Sequence, residues 1–310
     1  MNYIMRLNMM DLNKLKTKWF NHNIHGKYKF INRKQDLDRV CFVLIGYKQF
    51  LWDDVLGRLI KYIPSNIEVC LLSSGRHMTE LEEIAEHNNW SYISTKRNNV
   101  CLAQNIAISL FPKAKYIYKM DEDIFLTEGT FERTETALHK VDQSSAYESG
   151  IAAPLLNINA YGYYRILEKT GKLQEFEQRV GKAKMVSGQT SLIESSPEAA
   201  KFMWGIDSSI PNIDELNREF SKDDNYSICP IRLSIGFMLL KRSFWELFGG
   251  FPVVPGNGMG LDETLLIGAT SAFSHVIAVA ENSVVGHFGY GGIQGKAMKA
   301  LFEENPSYFK

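Results

Sequence analysis

The residues with the clearest chemistry are acidic. Asp121-Glu122-Asp123 follows the apolar run Tyr116-Ile-Tyr-Lys-Met120. Carboxylates are hard oxygen donors. Two of them at alternate positions of an extended chain project to one side, a spacing suited to Mg2+ or Mn2+. Such a cation bridges to a diphosphate and neutralises charge on a departing phosphate. Asp262 and Glu263 form a second acidic pair, at the start of a helical pattern over residues 262–269. Carboxylates there are stabilised by the helix dipole, and one within reach of a hydroxyl also serves as a general base. His287 follows Val284-Val285-Gly286 at an expected strand end. A lone imidazole in such a place is either a structural group or a metal ligand.

These groups need elements to hold them. From residue 39 the chain alternates apolar runs with helical patterns. Strands are expected over residues 40–45, 68–72, 90–94 and 116–120. Helices are expected over 52–63, over 79–87 with Thr79 and Glu82 as a capping box, and from Asn98 or Asn99 to Leu110. Such alternation predicts an α/β class with a mostly parallel sheet covered on both faces. Ligands of such sheets bind at the carboxyl ends of strands. Gly46 and Tyr47 stand at one such end, Ser73 and Ser74 at the next, and the triplet at the fourth. Farther on, residues 127–150 read as helical, 151–156 and 234–240 as strands, and 243–248 as a short helix. Residues 157–225, charged and rich in helix formers, read as an inserted helical segment or lid. The glycine-rich stretch from Phe288 to Lys296 is either a mobile flap or a passive loop, and the tail from 293 is helical or loose.

Composition narrows the class. The chain has 310 residues, 45% hydrophobic and 23% charged, as in soluble globular enzymes. Lys+Arg and Asp+Glu both number 35, and this zero balance argues against a nucleic-acid partner. The four cysteines form no Cys-x-x-Cys pair, which argues against a cysteine zinc site and favours a reducing compartment. The start lacks the apolar core of a secretory signal, and no apolar run approaches the roughly 20 residues of a membrane helix. A cytoplasmic setting is expected. Residues 1–37 are a basic extension in which Asp11 is the one acid before Asp36. With Met9, Met10, Leu12, Leu15, Trp19 and Phe20 interleaved, it reads either as a solvated or packed segment or as an amphipathic helix lying peripherally on an anionic membrane.

Taken in order, the motifs resemble the GT-A glycosyltransferases, particularly inverting family 2 and relatives with galactosyltransferase-type C-terminal motifs. The Asp-x-Asp ending after three strand–helix units is one likeness. Arg97-Asn98-Asn99-Val-Cys-Leu-Ala-Gln104-Asn105 is similar to the family's Asn-rich helix beside the nucleotide. Phe248-Gly-Gly-Phe251, then Gly258-Met-Gly260-Leu-Asp262-Glu263-Thr-Leu-Leu266, is similar to its Gly-Gly-Phe…Gly-x-Gly-Glu-Asp segment, whose acid is the catalytic base. Gly286-His287-Phe288 stands where relatives supply a histidine to the metal. The likeness spans residues 38–126 and 230–290.

The resemblance implies a GT-A (Rossmann-like) mixed sheet flanked by helices. Its nucleotide-sugar half would be 38–126 and its acceptor and catalytic half 127–292, with the helical insertion at about 157–225 and a tail at 293–310. It implies donor contacts from Gly46, Tyr47, Ser73, Ser74, Arg97, Asn98, Gln104, Asn105, Asp121, Glu122 and Asp123. It implies Mn2+ or Mg2+ on Asp121, Asp123 and His287, and a base at Asp262 or Glu263, the alignment favouring Asp262. The activity implied is metal-dependent transfer of a sugar from a nucleoside-diphosphate sugar, UDP favoured. The acceptor is a glycan or lipid-linked glycan hydroxyl, attacked with inversion, in bacterial surface polysaccharide synthesis. The chain also departs from the pattern. Leu261 replaces the usual Glu, Gly46-Tyr47-Lys48 replaces a Thr-Tyr-Asn ending, and Ser73-Ser74-Gly75 stands where an acid commonly meets uracil. Arg97 and Lys119 are either diphosphate contacts or ordinary surface charges. Trp204, Trp245, Tyr161, Tyr163 and Tyr164 are either core or acceptor-stacking residues. Two other functions compete: a sugar nucleotidyltransferase, for which Gly46-Tyr-Lys-Gln-Phe50 is not the glycine-rich basic loop required, and a non-catalytic sugar-binding protein on the same fold.

Overall fold

Apolar runs bounded by glycine, serine or proline form strands, and amphipathic runs form the helices between them. The computed structural model describes residues 14, 15, 18–144, 146–188 and 190–309. Residues 18–24 are helical (α1). There follow β1 (Tyr28–Ile31), β2 (Arg39–Leu44), α2 (Trp52–Tyr62), β3 (Glu68–Ser73), α3 (Thr79–His87), β4 (Ser91–Thr95), α4 (Val100–Leu110), β5 (Tyr116–Asp121) and β6 (Ile124–Phe125). Next come α5 (Thr130–Ser144), β7 (Glu148–Leu156), α6 (Ala160–Thr170), α7 (Leu173–Arg179), α8 (Leu192–Ser195), α9 (Pro197–Met203) and α10 (Ile213–Phe220). The chain ends with β8 (Tyr226–Cys229), β9 (Phe237–Lys241), α11 (Arg242–Phe248), α12 (Leu261–Ala272), β10 (His275–His287) and α13 (Gly292–Glu304). This is a mixed α/β fold, mostly parallel and flanked by helices, as the alternation predicts. Contacts group the chain into two units. The first is Met1–Gly46, Asn66–Tyr118 and Leu240–Phe273; the second is Tyr47–Ser65, Lys119–Leu239 and Ser274–Lys310. β5 and β9 have residues in both.

In the first unit the strand order is β1-β4-β3-β2-β5. β2, β3 and β4 run parallel, with Val40 opposite Glu68 and Cys70 opposite Ser91. β1 joins antiparallel, with Tyr28 opposite Thr95. This strand lies in the basic extension, where no strand was expected. It is short and carries a lysine, as edge strands do. Residues 18–24 also belong to the packed structure: Phe20 meets Trp245 edge-on at 5.2 Å, and Val253 N donates to Asn23 Oδ1 at 3.2 Å. Met9, Met10 and Leu12 lie outside the described residues. The expected capping box of α3 does not form. Met78 takes the cap position without a side-chain bond. Glu82 instead accepts from Lys29 at 2.9 Å and lies 3.0 Å from His77 Nε2, so nearby basic groups outcompete the helix terminus for it. At the other end of α4, Arg242 donates to the carbonyls of Ile108 at 2.9 Å and Phe111 at 2.6 Å, a favourable cation at a helix C-terminus.

In the second unit the order is β5-β9-β7-β10-β6, with β8 also paired to β10. β10 runs parallel to β7, and its register jumps between Ala280 and Val284. Glu281 in that bulge is buried and held by Arg165, Nε to Oε1 at 2.8 Å and Nη2 to Oε2 at 3.1 Å, and by Ser227 Oγ at 2.7 Å. Beyond the bulge β10 meets β6 antiparallel, placing His287 opposite Ile124. Helices α6 to α10 occupy most of the expected helical insertion. Phe125, Trp204, Phe288, Phe302 and Phe309 pack with ring centroids 4.8–6.4 Å apart. Gln294, at the head of α13, donates to Ile193 O at 2.7 Å and Ser196 O at 3.0 Å. The glycine-rich stretch and the tail are therefore pinned by buried groups at Phe288, Gln294 and Phe302. No helix among the described residues is long and apolar enough to cross a membrane.

Candidate active site

The acidic triplet lies in the second unit, and its three carboxylates have three different partners. Lys119 and Asp121 are two apart on β5, so they share a side of the strand. Lys119 Nζ lies 2.6 Å from Asp121 Oδ1 and donates to Ile235 O at 2.7 Å. Lys119 is buried, so it is neither a surface charge nor an open diphosphate contact. β5 ends at Asp121 and the chain turns through Glu122 and Asp123. That turn ends the period-two alternation between Asp121 and Asp123. Glu122 accepts from the Tyr47 backbone N–H at 2.9 and 3.0 Å and from Trp52 Nε1 at 2.8 Å. It braces the segment after β2.

Asp123 is 2% exposed, and its Oδ2 receives the Lys48 ammonium. The same oxygen lies 3.4 Å from His287 Nε2. Burial opposes ionisation of Asp123, yet Lys48 and His287 together hold its carboxyl well below the usual carboxylate range. Burial likewise opposes a charged imidazole, but Asp123 keeps His287 above its ordinary value. His287 is fixed on every side. Nδ1 lies 3.0 Å from Ile158 O, a pure acceptor, so Nδ1 carries a proton. The backbone N–H donates to Asn157 Oδ1 at 2.7 Å, and the carbonyl accepts from Trp204 Nε1 at 3.0 Å. The Tyr290 ring packs edge-on at 4.7 Å. Trp204 comes so close that a Cβ at Gly286 would stand 2.4 Å from its Cη2. Backbone and amide partners of this kind orient a ligating imidazole.

Whether these residues suit a metal follows from the donors. Among the described residues no three His, Cys, Asp or Glu side chains converge on a metal position. The three-residue set is thus not assembled: Asp121 is engaged by Lys119, while Asp123 and His287 stand together. One carboxylate and one imidazole suit Mn2+ or Mg2+, which keep several water and phosphate oxygens in their shells. The pair fits such a cation.

Asp262 lies in the first unit, in the first turn of α12, behind Gly260, whose φ of 76° favours glycine. It is buried, and Oδ2 accepts from Gln104 Nε2 at 2.8 Å. Glu263 beside it is half-buried. The segment leading to this pair is laid against α4. Asn105 Oδ1 accepts from Phe251 N at 2.9 Å, and its Nδ2 donates to Phe251 O at 2.7 Å and Asn23 O at 3.0 Å. Asn99 caps α4 by accepting from Leu102 N at 2.9 Å and donates to Val254 O at 3.1 Å and Gly256 O at 2.9 Å. Arg97 donates to Val254 O at 2.7 Å. The Asn-rich helix therefore carries the loop before Asp262; its Gln104 and Asn105 are buried in that task.

The remaining donor candidates are at strand ends. Gly46 has φ +140°, and its carbonyl accepts from Arg76 Nη1 at 2.7 Å. Ser73 is buried, donating to Arg76 O at 2.8 Å. Ser74 Oγ accepts from Asn99 N at 2.9 Å and lies 3.3 Å from Asn98 Oδ1. Tyr47, in the second unit, is 53% exposed. Trp204 and Trp245 are core, as are Tyr161 and Tyr163. Lys48 has no part in the motif likeness, and the bond from Gln104 to Asp262 is not foreseen by it. A charge in the loop after a buried strand was the available signal for Lys48. For Gln104 there was none, because its partner is 158 positions away.

No family model matches the sequence, and no curated protein matches it. Among solved structures the chain is similar to the crystal structure of GalNAc-T7 with UDP, GalNAc and Mn2+, at 12% identity and a TM-score of 0.46, over 87% of this chain and 48% of that one. It is also similar to the mannosyltransferase PcManGT from Pyrobaculum calidifontis in complex with GDP-Man and Mn2+, at 12% identity and a TM-score of 0.47, over 88% of this chain and 64% of that one. The chain spans about half the length of the first and under two thirds of the second.

Proposed function

We propose that this chain is a metal-dependent glycosyltransferase that moves a sugar from a nucleoside-diphosphate sugar to an acceptor hydroxyl with inversion. The observation that carries the reading is the pairing of Asp123 with His287, 164 positions apart in sequence and 3.4 Å apart at their side chains. A buried carboxylate and an oriented imidazole at strand ends suit a cation that binds a diphosphate. That cation, Mn2+ or Mg2+, supplies positive charge to the leaving nucleoside diphosphate. Asp262 takes the proton of the acceptor hydroxyl as it attacks the anomeric carbon. Glu263 shares its helix turn, and Asp262 is the assigned base because Gln104 fixes its carboxylate. Tyr47 offers an exposed ring to the nucleobase. Gly46, Ser74, Arg97 and Asn98 are assigned to the donor on the strength of the motif likeness. The acceptor proposed is a glycan or lipid-linked glycan, in bacterial surface polysaccharide synthesis on the cytoplasmic side.

The test is a panel of UDP- and GDP-sugars with Mn2+, Mg2+ or EDTA, scored by release of nucleoside diphosphate. Metal-dependent release is expected from the parent. Asp262→Asn and Asp123→Asn should each lower it by at least about a hundredfold, the scale of a lost general base or charge stabiliser. Release that survives both substitutions sinks the proposal.

A further inference from the structure

We propose that Lys48 is an exchangeable counter-ion: its ammonium neutralises Asp123 while no metal is bound and passes to the donor diphosphate when a divalent cation takes Asp123. The exchange rests on the functional reading above and involves a residue to which the motif likeness assigns nothing.

Two cationic groups meet at one oxygen. Asp123 Oδ2 receives the Lys48 ammonium and also faces His287 Nε2. A divalent cation held by Asp123 through Oδ2 and by His287 through Nε2 would meet the ammonium at that oxygen. An ammonium in direct contact with the same oxygen would then abut a like charge of two, which strongly disfavours coexistence. One of them leaves, and burial decides which partner is fixed. The Asp123 side chain is 2% exposed, whereas that of Lys48 is 37% exposed. An unpaired carboxylate as buried as Asp123 is costly, so it needs a resident cation before the metal arrives. Lys48 is the partner able to leave, because its side chain is partly exposed and its ammonium ends a flexible four-carbon stem.

The backbone around Lys48 confines the exchange to its side chain. Tyr47 N–H is held by Glu122, and Leu51 N donates to Lys48 O at 2.9 Å. Trp52 is tied to Glu122 as well. The ammonium therefore swings from a fixed root one residue after Tyr47. Lys119 is unlike it: buried, and bound to both Asp121 and the Ile235 carbonyl, it stays where it is. An ammonium released beside a metal-bound diphosphate finds phosphate oxygens as its new partners.

The experiment uses the full chain as parent, Lys48→Met and Lys48→Arg. Free Mn2+ is followed by its electron paramagnetic resonance signal during titration without nucleotide. Lys48→Met should bind Mn2+ on the order of tenfold more tightly than the parent, since a competing unit charge has gone. Calorimetric titration with UDP at saturating Mn2+ should then show binding on the order of tenfold weaker in Lys48→Met. Lys48→Arg keeps the charge and should match the parent within about threefold in both titrations. Unchanged or weaker Mn2+ binding by Lys48→Met, at a melting temperature equal to the parent's, overturns the proposal. So does tighter Mn2+ binding with unchanged UDP affinity, which would leave Lys48 a shield and no more. Neither titration reads turnover. A parent that binds Mn2+ and UDP but transfers no sugar would end the functional reading and leave the exchange standing.

Discussion

Gln104 donates to Asp262 from inside a helix, and this bond separates two roles that sequence alone confuses. As a donor contact, Gln104 would act on nucleotide binding. As the partner of the proposed base, it would act on proton transfer. Gln104→Leu removes the bond and leaves Asp262 without its orienting donor. The expected result is a kcat lowered on the order of tenfold with the donor KM held within about twofold. A raised KM with kcat intact would return Gln104 to the nucleotide. Glu122 makes a parallel case. Although it is the middle of the acidic triplet, it accepts from Tyr47 N and Trp52 Nε1. Glu122→Ala strands both donors, and the expected cost is about 1–3 kcal/mol each in unfolding free energy, read from urea denaturation. A variant as stable as the parent would show that water replaces the carboxylate.

The elements were largely legible because their signals are local. β2, β3 and β5 are apolar runs ended by turn residues, and α4 begins at an asparagine that does cap it. What escaped depends on partners distant in the chain. β1 has two aromatic residues in a basic stretch and becomes a strand because β4 offers it a ladder. The capping box of α3 lacks its Glu82 half because Lys29 and His77 claim that carboxylate. Of the candidate site, the acidic triplet after β5 could be read locally, whereas the contacts of Asp123 with Lys48 and His287 could not, because those partners are 75 and 164 positions away. Packing at the elements gives a paired prediction. Gly286 sits on β10 against Trp204, while Gly57 sits in α2, where an added Cβ would meet no atom within 4 Å. Gly57→Ala should raise stability by about 0.5–1 kcal/mol through helix propensity. Gly286→Ala should lower it by about 1–3 kcal/mol through overpacking and loosen His287. Melting curves of the two variants check both signs.

At the scale of the molecule, all four cysteines are free and buried. Burial pushes Cys41 and Cys70 up, and it pushes Cys229 up to about 12. Burial, joined by the charge of Asp262, pushes Cys101 up to about 12 as well. The thiolate is the reactive form, so at pH 8 Cys101 and Cys229 should react roughly a thousandfold more slowly than ordinary thiols. A colorimetric thiol reagent is expected to find almost no reactive cysteine in the native chain and all four after denaturation. Rapid native labelling would contradict it. The same shifts set a sign for stability. A thiol whose folded value is raised contributes stability that is intact below its unfolded value, near 9, and is lost as pH rises toward the folded value. Alkaline unfolding should therefore set in above about pH 9.

The interleaving of the two units also matters while the chain is being made. The first unit draws on residues up to Tyr118 and then on nothing until Leu240. At about 5–20 residues per second, the ribosome needs roughly 6–24 s to supply the missing stretch. Throughout that interval β2, β3 and β4 have no α12 and no Asp262. The second unit, opened at Tyr47, closes only with the segment that begins at Ser274. Synthesis thus presents apolar strands before either unit can finish, and both are completed only by residues after 239. A chain cut after residue 118 or 239 holds neither unit whole.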